Sequence, residues 1–165
     1  MRDIFRHHRG SAVSAEDSRR WVIPIVYACM SMSKSKTGAL IVIEQSIPLE
    51  LYEKTGDMID AEINSRLIEN IFFKNSPLHD GAMIIAHDRI KAAGCILPVS
   101  HDTNIPRSMG LRHRSALGIS QATDAAAVVV SEETGSISFA HRGKIISRLS
   151  STDLENRLSR LVTDE

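Results

Sequence analysis

The chain has 165 residues, of which 42% are hydrophobic and 24% are charged, and this composition is typical of one folded domain rather than of a disordered chain. Lys plus Arg and Asp plus Glu both number 20, and the resulting formal charge of zero argues against a protein that binds nucleic acid over its whole surface. Cys29 and Cys95 lie in apolar neighbourhoods without metal-type spacing, so we expect buried free thiols in a reducing compartment.

The N-terminal residues, 1–20, carry several arginines but show little hydrophobic periodicity. We therefore expect a basic lead-in with weak structure there, either a juxtamembrane linker or a solvated tail, followed by one domain over residues 21–165. The start of the chain has no signal-peptide pattern. The longest apolar run, at 21–30, is interrupted by Pro24 and is about half of the ~20 residues that a membrane-spanning helix needs.

The rest of the chain alternates between helical and strand-like patterns, without an internal repeat. Residues 47–56 are predicted to be a connector and residues 100–108 a surface loop. This order favours an α/β fold in one domain, with a central mixed sheet flanked by helices on both faces. The predicted helices cover 24–33, 60–73, 112–121 and the residues from 151 onward, and the predicted strands cover 39–43, 83–86, 90–99, 125–130, 137–140 and 145–148.

The loop over residues 75–82, Asn-Ser-Pro-Leu-His-Asp-Gly-Ala, leads into a buried strand and presents a carboxylate at that junction. Asp80 suits metal binding or the orientation of a hydroxyl group, and Gly81 would let a nucleotide lie close to the backbone. Alternatively, Asp80 caps a turn and Gly81 supplies the φ angle of that turn. His79 is typical of a structural hydrogen-bond partner.

A second stretch, Gly-Leu-Arg-His-Arg at residues 110–114, places three basic side chains where a helix is predicted to begin. Positive charge is unfavourable at that end of the helix dipole, and a bound phosphate would remove the conflict. The alternatives are a solvated basic turn or arginines paired with nearby acids. The chain contains no Walker-type or Rossmann-type glycine-rich loop, so a phosphate site must be built by another device.

Two further stretches follow strands. Residues 131–135, Ser-Glu-Glu-Thr-Gly, contain adjacent carboxylates that suit a divalent cation or a charged hairpin turn. Residues 95–98, Cys-Ile-Leu-Pro, offer main-chain groups and an apolar surface to a flat base, or form part of a strand core. The residues alone thus predict an α/β domain for an anionic, metal-linked ligand.

Taken as a set, the stretches at 75–82, 110–114 and 130–135 resemble the diadenylate cyclase domain in residues, order and separation. Residues 36–43 are also similar to the first strand of that family, and the likeness runs from about residue 25 to residue 146. Asp-Gly-Ala and Arg-His-Arg are specific as a pair, although neither is specific alone. The resemblance implies a nucleotidyltransferase that condenses two ATP molecules into cyclic di-AMP, with release of two pyrophosphates and with Mg²⁺ or Mn²⁺ as cofactor.

The resemblance also implies a role for each matching residue. Asp80 would lie by the ribose 3′-hydroxyl and the metal, and would favour attack on the α-phosphate of the facing ATP. Arg112, His113 and Arg114 would bind phosphates and offset charge as pyrophosphate leaves. Glu133 would be a metal ligand together with Asp80, with Glu132 beside it. The other positions implied to contact the nucleotide are Ser76, His79, Gly81, Ala82, Ile96, Leu97, Gly110, Leu111 and Ser131.

The partners implied by the resemblance are ATP and a second copy of the chain, without nucleic acid. Each domain would bind one ATP, so two identical sites must face each other across a two-fold axis for both bonds to form. In one branch of the family the cyclase domain follows transmembrane helices. We therefore expect a cytoplasmic catalytic domain that is tethered to the membrane only through an N-terminal region not in this chain.

Three positions depart from the family pattern. Leu111 stands where many members have Thr, which removes a hydroxyl contact to phosphate. Ile96 stands where some have Tyr, which removes an aromatic stack on the base, whereas Ser76 replaces a common Thr and keeps the hydroxyl. Two other functions stay open: a catalytically idle module that binds ATP or a cyclic dinucleotide, and a metal-dependent phosphohydrolase.

Overall fold

The computed structural model describes the backbone of residues 10–163 and the side chains of residues 20–161. Within that range the chain forms a mixed sheet with helices on both faces, as predicted. The strands are β1 (Ala39–Ile43), β2 (Asp57–Glu62), β3 (Ala82–Ala86), β4 (Arg89–Cys95), β5 (Ala126–Val130), β6 (Ile137–His141) and β7 (Lys144–Ile146). The helices are α1 (Gly10–Ser35), α2 (Glu50–Glu53), α3 (Ser65–Phe72), α4 (Leu111–Ala122) and α5 (Ser151–Thr163).

The strands lie in the order β2-β4-β3-β1-β5-β6-β7 across the sheet. β1 and β3 run parallel, whereas the other neighbouring pairs are antiparallel. Ala39 is therefore opposite Val130, and Ala82 is opposite Cys95. The N-terminal ends of β1 and β3 thus meet the C-terminal ends of β4 and β5 at one edge of the sheet, and the loops at that edge come together.

The central strands β1, β3 and β5 are buried at every position, and their unbroken apolar sequences are typical of strands covered on both faces. Alternate residues of β1 enter different cores. Ile41 packs in the cluster that includes residues of α1, α3 and α5, whereas Leu40 and Val42 pack in the cluster under α4. Both cysteines are buried free thiols, as predicted, and burial raises the pKa of Cys29 to about 12.

The N-terminal helix is longer than predicted. α1 begins at Gly10 and contains Pro24 in its interior, so both a helix start at Pro24 and weak structure from residue 10 onward are wrong. An internal proline removes one backbone hydrogen bond, and the buried face of α1, with Trp21, Ile25 and Cys29, offsets that cost. Residues 1–9 of the lead-in lie outside the described residues, and the domain boundary at residue 20 stays a prediction. No helix in the described part of the chain is long and apolar enough to cross a membrane.

Residues 57–62 form an edge strand that the sequence pattern did not predict. Most side chains of β2 are exposed, so its apolar alternation is weak. The helix that we predicted over 60–73 begins only at Ser65, because the Asn64 side chain accepts a 2.8 Å hydrogen bond from the Leu67 N–H. β4 ends at Cys95, earlier than predicted, and the N–H of Ile96 donates to the Thr55 hydroxyl at 2.8 Å.

Candidate active site

A cavity of about 960 Å³ lies at the sheet edge where β1 and β3 begin and β4 and β5 end. This volume is in the range of small-molecule and cofactor sites, ~300–1,000 Å³. The end of α1, the loops before β3 and after β4, the start of α4 and the turn after β5 line the cavity. The predicted site residues in its lining are Asp80, Gly81, Ala82, Ile96, Leu97, Gly110, Leu111, Arg112, His113, Ser131 and Glu133.

Asp80 presents its carboxylate to solvent at the cavity edge, with 86% of the side chain exposed. Its Oδ1 lies 3.1 Å from Nε2 of His79, and Nδ1 of His79 lies 2.7 Å from the carbonyl oxygen of Ser76. Because a carbonyl only accepts, Nδ1 carries the hydrogen there, and Nε2 then donates to Asp80 when the ring is positively charged. His79 and Ser76 do not line the cavity. His79 contacts Asp80 directly, and Ser76 contacts His79.

Gly81 is required by the backbone of β4. A Cβ at this position would lie 2.5 Å from Cα of Gly94 and 2.7 Å from the nitrogen of Cys95. Its φ is not positive, so the turn does not need a glycine for its dihedral angle. The structure thus provides a different reason for Gly81 from either one predicted: the missing side chain lets two strands approach closely.

Arg112 is largely enclosed, with 19% of its side chain exposed. α4 begins after Gly110, which provides no side-chain cap, and Arg112 lies in the first turn. Nη1 of Arg112 is 3.3 Å from Oε1 of Glu132, while its Nε is buried without a hydrogen-bond partner. The predicted alternative of an arginine paired with a nearby acid is therefore present, and the pair lies in the cavity wall.

His113 and Arg114 differ from Arg112. Burial lowers the pKa of His113, and the positive charge of Arg112 lowers it further. His113 is therefore a neutral hydrogen-bonding group in the cavity wall at neutral pH. Arg114 does not line the cavity, and its Nη1 donates to the carbonyl oxygen of Asp102 at 3.4 Å. The positive charge that α4 presents to the cavity comes from one arginine and not from three basic residues.

Ser131 shapes the turn that presents the two glutamates. Its hydroxyl accepts hydrogen bonds from the N–H groups of Glu133 and Thr134, both at 3.1 Å. Glu132 and Glu133 are exposed and line the cavity with Asp80. Among the described residues, no group of three or more His, Cys, Asp or Glu side chains is close enough to hold a metal ion. The oxygen donors of Asp80 and Glu133 nevertheless suit Mg²⁺ or Mn²⁺, which commonly take one or two carboxylates together with substrate phosphates.

Two lysines in the cavity wall were not predicted. Lys36 follows α1 with a φ of 55°, and Lys74 precedes the acidic loop. The signal was available, since lysine is a common phosphate ligand and both residues lie in or beside stretches that the sequence analysis singled out, at 36–43 and 75–82. Ile96 and Leu111 are each 69% exposed at the cavity, whereas Leu97 is buried in the core and offers the cavity little beyond its main chain.

Comparison with known proteins finds a family match over most of the chain. The DAC family, described as "DisA bacterial checkpoint controller nucleotide-binding", matches residues 26–145. Cyclic di-AMP synthase CdaA of Bacillus subtilis (strain 168) is 40% identical over 143 residues, which are 87% of this chain and 52% of the relative. Diadenylate cyclase of Listeria monocytogenes serotype 1/2a is 43% identical over 133 residues, which are 80% and 49%. The chain thus spans about half the length of these relatives.

Solved structures agree in fold. A double mutant of DacA from Staphylococcus aureus superposes with a TM-score of 0.87 at 40% identity, covering 92% of this chain and 100% of that chain. A "hypothetical membrane spanning protein" from Bacillus cereus gives a TM-score of 0.74 at 40% identity, covering 78% and 63%. The fold therefore lies within a known structural family. The chain belongs to the DAC family of DisA bacterial checkpoint controller nucleotide-binding domains.

Proposed function

We propose that this chain is the catalytic domain of a diadenylate cyclase, a nucleotidyltransferase that makes cyclic di-AMP from two ATP molecules. The observation that carries the proposal is that one cavity contains the Asp80 carboxylate and the Arg112 guanidinium. Relatives named cyclic di-AMP synthase or diadenylate cyclase, 40% to 44% identical to this chain, support the same activity.

In this proposal Asp80 orients the ribose 3′-hydroxyl and accepts its proton as the oxygen attacks phosphorus. The 3′-oxygen forms a bond to the α-phosphorus of the facing ATP, and the bond from that phosphorus to the pyrophosphate oxygen breaks. The 3′-oxygen of the facing nucleotide likewise attacks the α-phosphorus of the first ATP, which closes the ring and releases the second pyrophosphate. His79 acts on this step by holding the Asp80 side chain at 3.1 Å.

Arg112 binds the phosphates and offsets the charge that develops on the leaving pyrophosphate. The first turn of α4, which Gly110 leaves without a side-chain cap, offers N–H groups to the same anion. Glu132 pairs with the guanidinium at 3.3 Å, and in this proposal a phosphate would replace it. His113 contributes a neutral donor or acceptor, and Arg114 positions the helix start through the Asp102 carbonyl.

Asp80 and Glu133 would hold Mg²⁺ or Mn²⁺, and such an ion offsets the negative charge of the triphosphate when it is bound. The main chain at Leu97 and the exposed Ile96 side chain would contact the adenine from the β4 side of the cavity. Leu111 adds apolar surface, and the walls near the nucleotide also include Gly81, Ala82 and Ser131. The remaining assigned position, Ser76, acts through its carbonyl contact with His79.

One chain provides half of the reaction centre in this proposal. Asp80 is exposed at the edge of the cavity, so it suits a nucleotide that meets a second nucleotide held by another copy. We therefore propose a face-to-face homodimer that binds two ATP molecules and no nucleic acid. We also propose a cytoplasmic domain, tethered through a preceding region. The similarity to a B. cereus protein described as membrane spanning supports the tether.

Product analysis tests the proposal. The protein is incubated at high concentration with ATP and either Mg²⁺ or Mn²⁺, and the nucleotides are separated by chromatography. We expect cyclic di-AMP and pyrophosphate, and loss of both products when EDTA removes the metal. Release of AMP or ADP without a cyclic product would indicate a phosphohydrolase. Tight ATP binding without turnover under both metals would indicate an idle nucleotide-binding module.

A further inference from the structure

The space beside Gly38, between α1 and β1, is filled by the guanidinium group of Arg112. A Cβ at position 38 would lie 2.5 Å from Nη1, 2.7 Å from Cζ and 3.1 Å from Nη2 of Arg112. Because these three distances are similar, that Cβ would lie over the flat face of the guanidinium rather than beyond one of its edges. Carbon atoms in contact are normally ~3.5–4.0 Å apart, so no side chain fits at position 38 while Arg112 keeps its place.

The backbone itself does not require a glycine here. Gly38 does not have a positive φ, whereas Gly94, Gly135 and Gly143 do. Gly38 is buried because the Arg112 side chain covers it, so a glycine is needed here for space and not for a left-handed backbone conformation. The glycine therefore leaves room for the guanidinium of Arg112, which is 74 residues further along the chain.

The other contacts of Arg112 restrain its guanidinium only weakly, so its orientation depends on the contact with Gly38. One edge nitrogen meets the exposed Glu132 carboxylate at 3.3 Å, and Nε is buried without a hydrogen-bond partner. Because the carboxylate side of this pair is exposed, the pair is a weak restraint, worth ~0–1 kcal/mol. The flat face against Gly38 sets the plane of the guanidinium, and that plane decides which way its two terminal nitrogens present their hydrogens to an anion.

We infer that Gly38 is a positioning residue, which holds the Arg112 guanidinium in the orientation that binds the phosphates of the nucleotide. This inference rests on the proposed function in one respect, the assignment of phosphate binding to Arg112. It predicts that an alanine at position 38 displaces the guanidinium by about 1 Å, since that is the distance missing for ordinary contact. Displacements of that size cost up to ~100-fold in well-positioned sites.

Folding should be little affected, because the atoms that must move are the end of a flexible side chain. Gly118 provides the contrast. A Cβ there would lie 2.8 Å from the carbonyl carbon of Pro98 and 3.0 Å from the nitrogen of Ser100, which are backbone atoms that cannot move away. Gly118→Ala should therefore lower the Tm strongly, whereas Gly38→Ala should lower the affinity for the nucleotide.

A double-mutant cycle tests the inference with the wild-type protein, Gly38→Ala, Arg112→Ala and the double variant. The probe is α,β-methylene ATP with Mg²⁺, which cannot lose pyrophosphate, and its Kd is measured by titration calorimetry up to millimolar concentration. We expect Gly38→Ala to raise Kd by about 10-fold or more. In the Arg112→Ala background the same change should raise Kd by less than about twofold, because the group that it displaces is absent.

Equal losses in both backgrounds, or an unchanged Kd for Gly38→Ala, would overturn the inference. If Gly38→Ala does not fold, the double variant decides: it should fold like Arg112→Ala, and its failure to fold would show that the backbone needs the glycine. The proposed function is judged separately by product formation from ATP in the wild-type protein. If the double-mutant cycle gives the expected Kd values but no cyclic di-AMP is formed, the positioning role stands and the cyclase activity is rejected. If the wild-type protein does not bind the probe, both proposals are overturned.

Discussion

The two charged walls of the cavity are built in different ways. On the acidic wall, Asp80 is 86% exposed, and its loop is positioned by backbone contact between Gly81 and Gly94. On the basic wall, Arg112 is only 19% exposed, and side-chain contacts with Gly38 and Glu132 surround its guanidinium. The acidic group is thus open to a ligand from outside, while the basic group is oriented in advance. Mutations on the two walls should therefore have different effects on activity, stability and binding.

The largest effect should follow from Asp80→Asn. The change keeps the shape of the side chain and removes the charge that orients and deprotonates the hydroxyl, so we expect cyclic di-AMP formation to fall by ~10²–10⁴-fold. Because Asp80 is exposed, the Tm should stay close to that of the wild-type protein. Chromatographic product assays and thermal unfolding of the same samples measure both quantities. Full activity in this variant would remove Asp80 from the mechanism.

Gly81→Ala should destabilise the acidic wall by disturbing the backbone packing of β3 against β4. The new methyl group would meet Gly94 and Cys95 of β4, and overpacking of this kind typically costs ~1–3 kcal/mol or more. Denaturant unfolding measures the loss. Gly110→Ala is the control without a steric clash, since nothing lies within 4 Å of its Cβ position, and it should lose only about 0.5–1 kcal/mol because alanine is a poorer N-cap than glycine. Equal stability of the two variants would contradict the close approach of β3 and β4.

Glu132→Gln should sharpen the difference between the walls by releasing Arg112 from its carboxylate partner. The pair is exposed on the glutamate side, so stability should hardly change. We expect the Mg²⁺ complex of α,β-methylene ATP to bind up to about fivefold more tightly, since the phosphate no longer competes with Glu132. Glu133→Gln is the comparison, and it should weaken binding by removing a metal ligand. Weaker binding in Glu132→Gln would instead assign Glu132 to the metal.

The smallest effect should be a pH dependence from His113. Burial lowers the pKa of His113 in the folded protein below the ordinary value of 6.5. The stability that the neutral ring contributes is therefore complete above pH 6.5 and is lost as the pH falls through the lower folded pKa, because the unfolded chain binds the proton more readily. Replacement by Gln should make the Tm fall less steeply between neutral and mildly acidic pH. Parallel Tm profiles of the two proteins would contradict the burial of His113.

Much of the fold followed from local patterns. The apolar runs of β1, β3 and β5 predicted buried strands, and the helix at residues 111–122 was predicted to within one residue at each end. The errors lie where tertiary contacts override local pattern. The pattern predicted a helix start at Pro24, yet α1 continues through it because a long apolar face packs on α3 and α5. β2 was missed because an edge strand with exposed side chains has little apolar alternation.

The candidate site shows the same division between features set by local sequence and features set by tertiary contacts. Its motifs are short continuous stretches, so Asp80, Arg112 and Glu133 were identifiable from residue type and spacing, and all three line the cavity. Arg114 was grouped with Arg112 by adjacency, yet successive residues on a helix point in different directions, and Arg114 contacts Asp102. Lys36 and Lys74 were missed because lysines are mostly solvated surface residues, and only the tertiary structure shows that both line the cavity.

The sequence by itself determined the buried strands and the chemical groups available for binding, because apolar runs and motif residues act over a few neighbouring positions. Only the tertiary structure decided which of those groups share a cavity and what holds them there. Gly81 meets Gly94 across two strands, and Gly38 meets Arg112 across 74 residues of chain. Such close contacts depend on the register of the sheet and the placement of α4. They leave no periodic signal in the sequence, since a glycine shows only that a side chain is missing and not what fills its place.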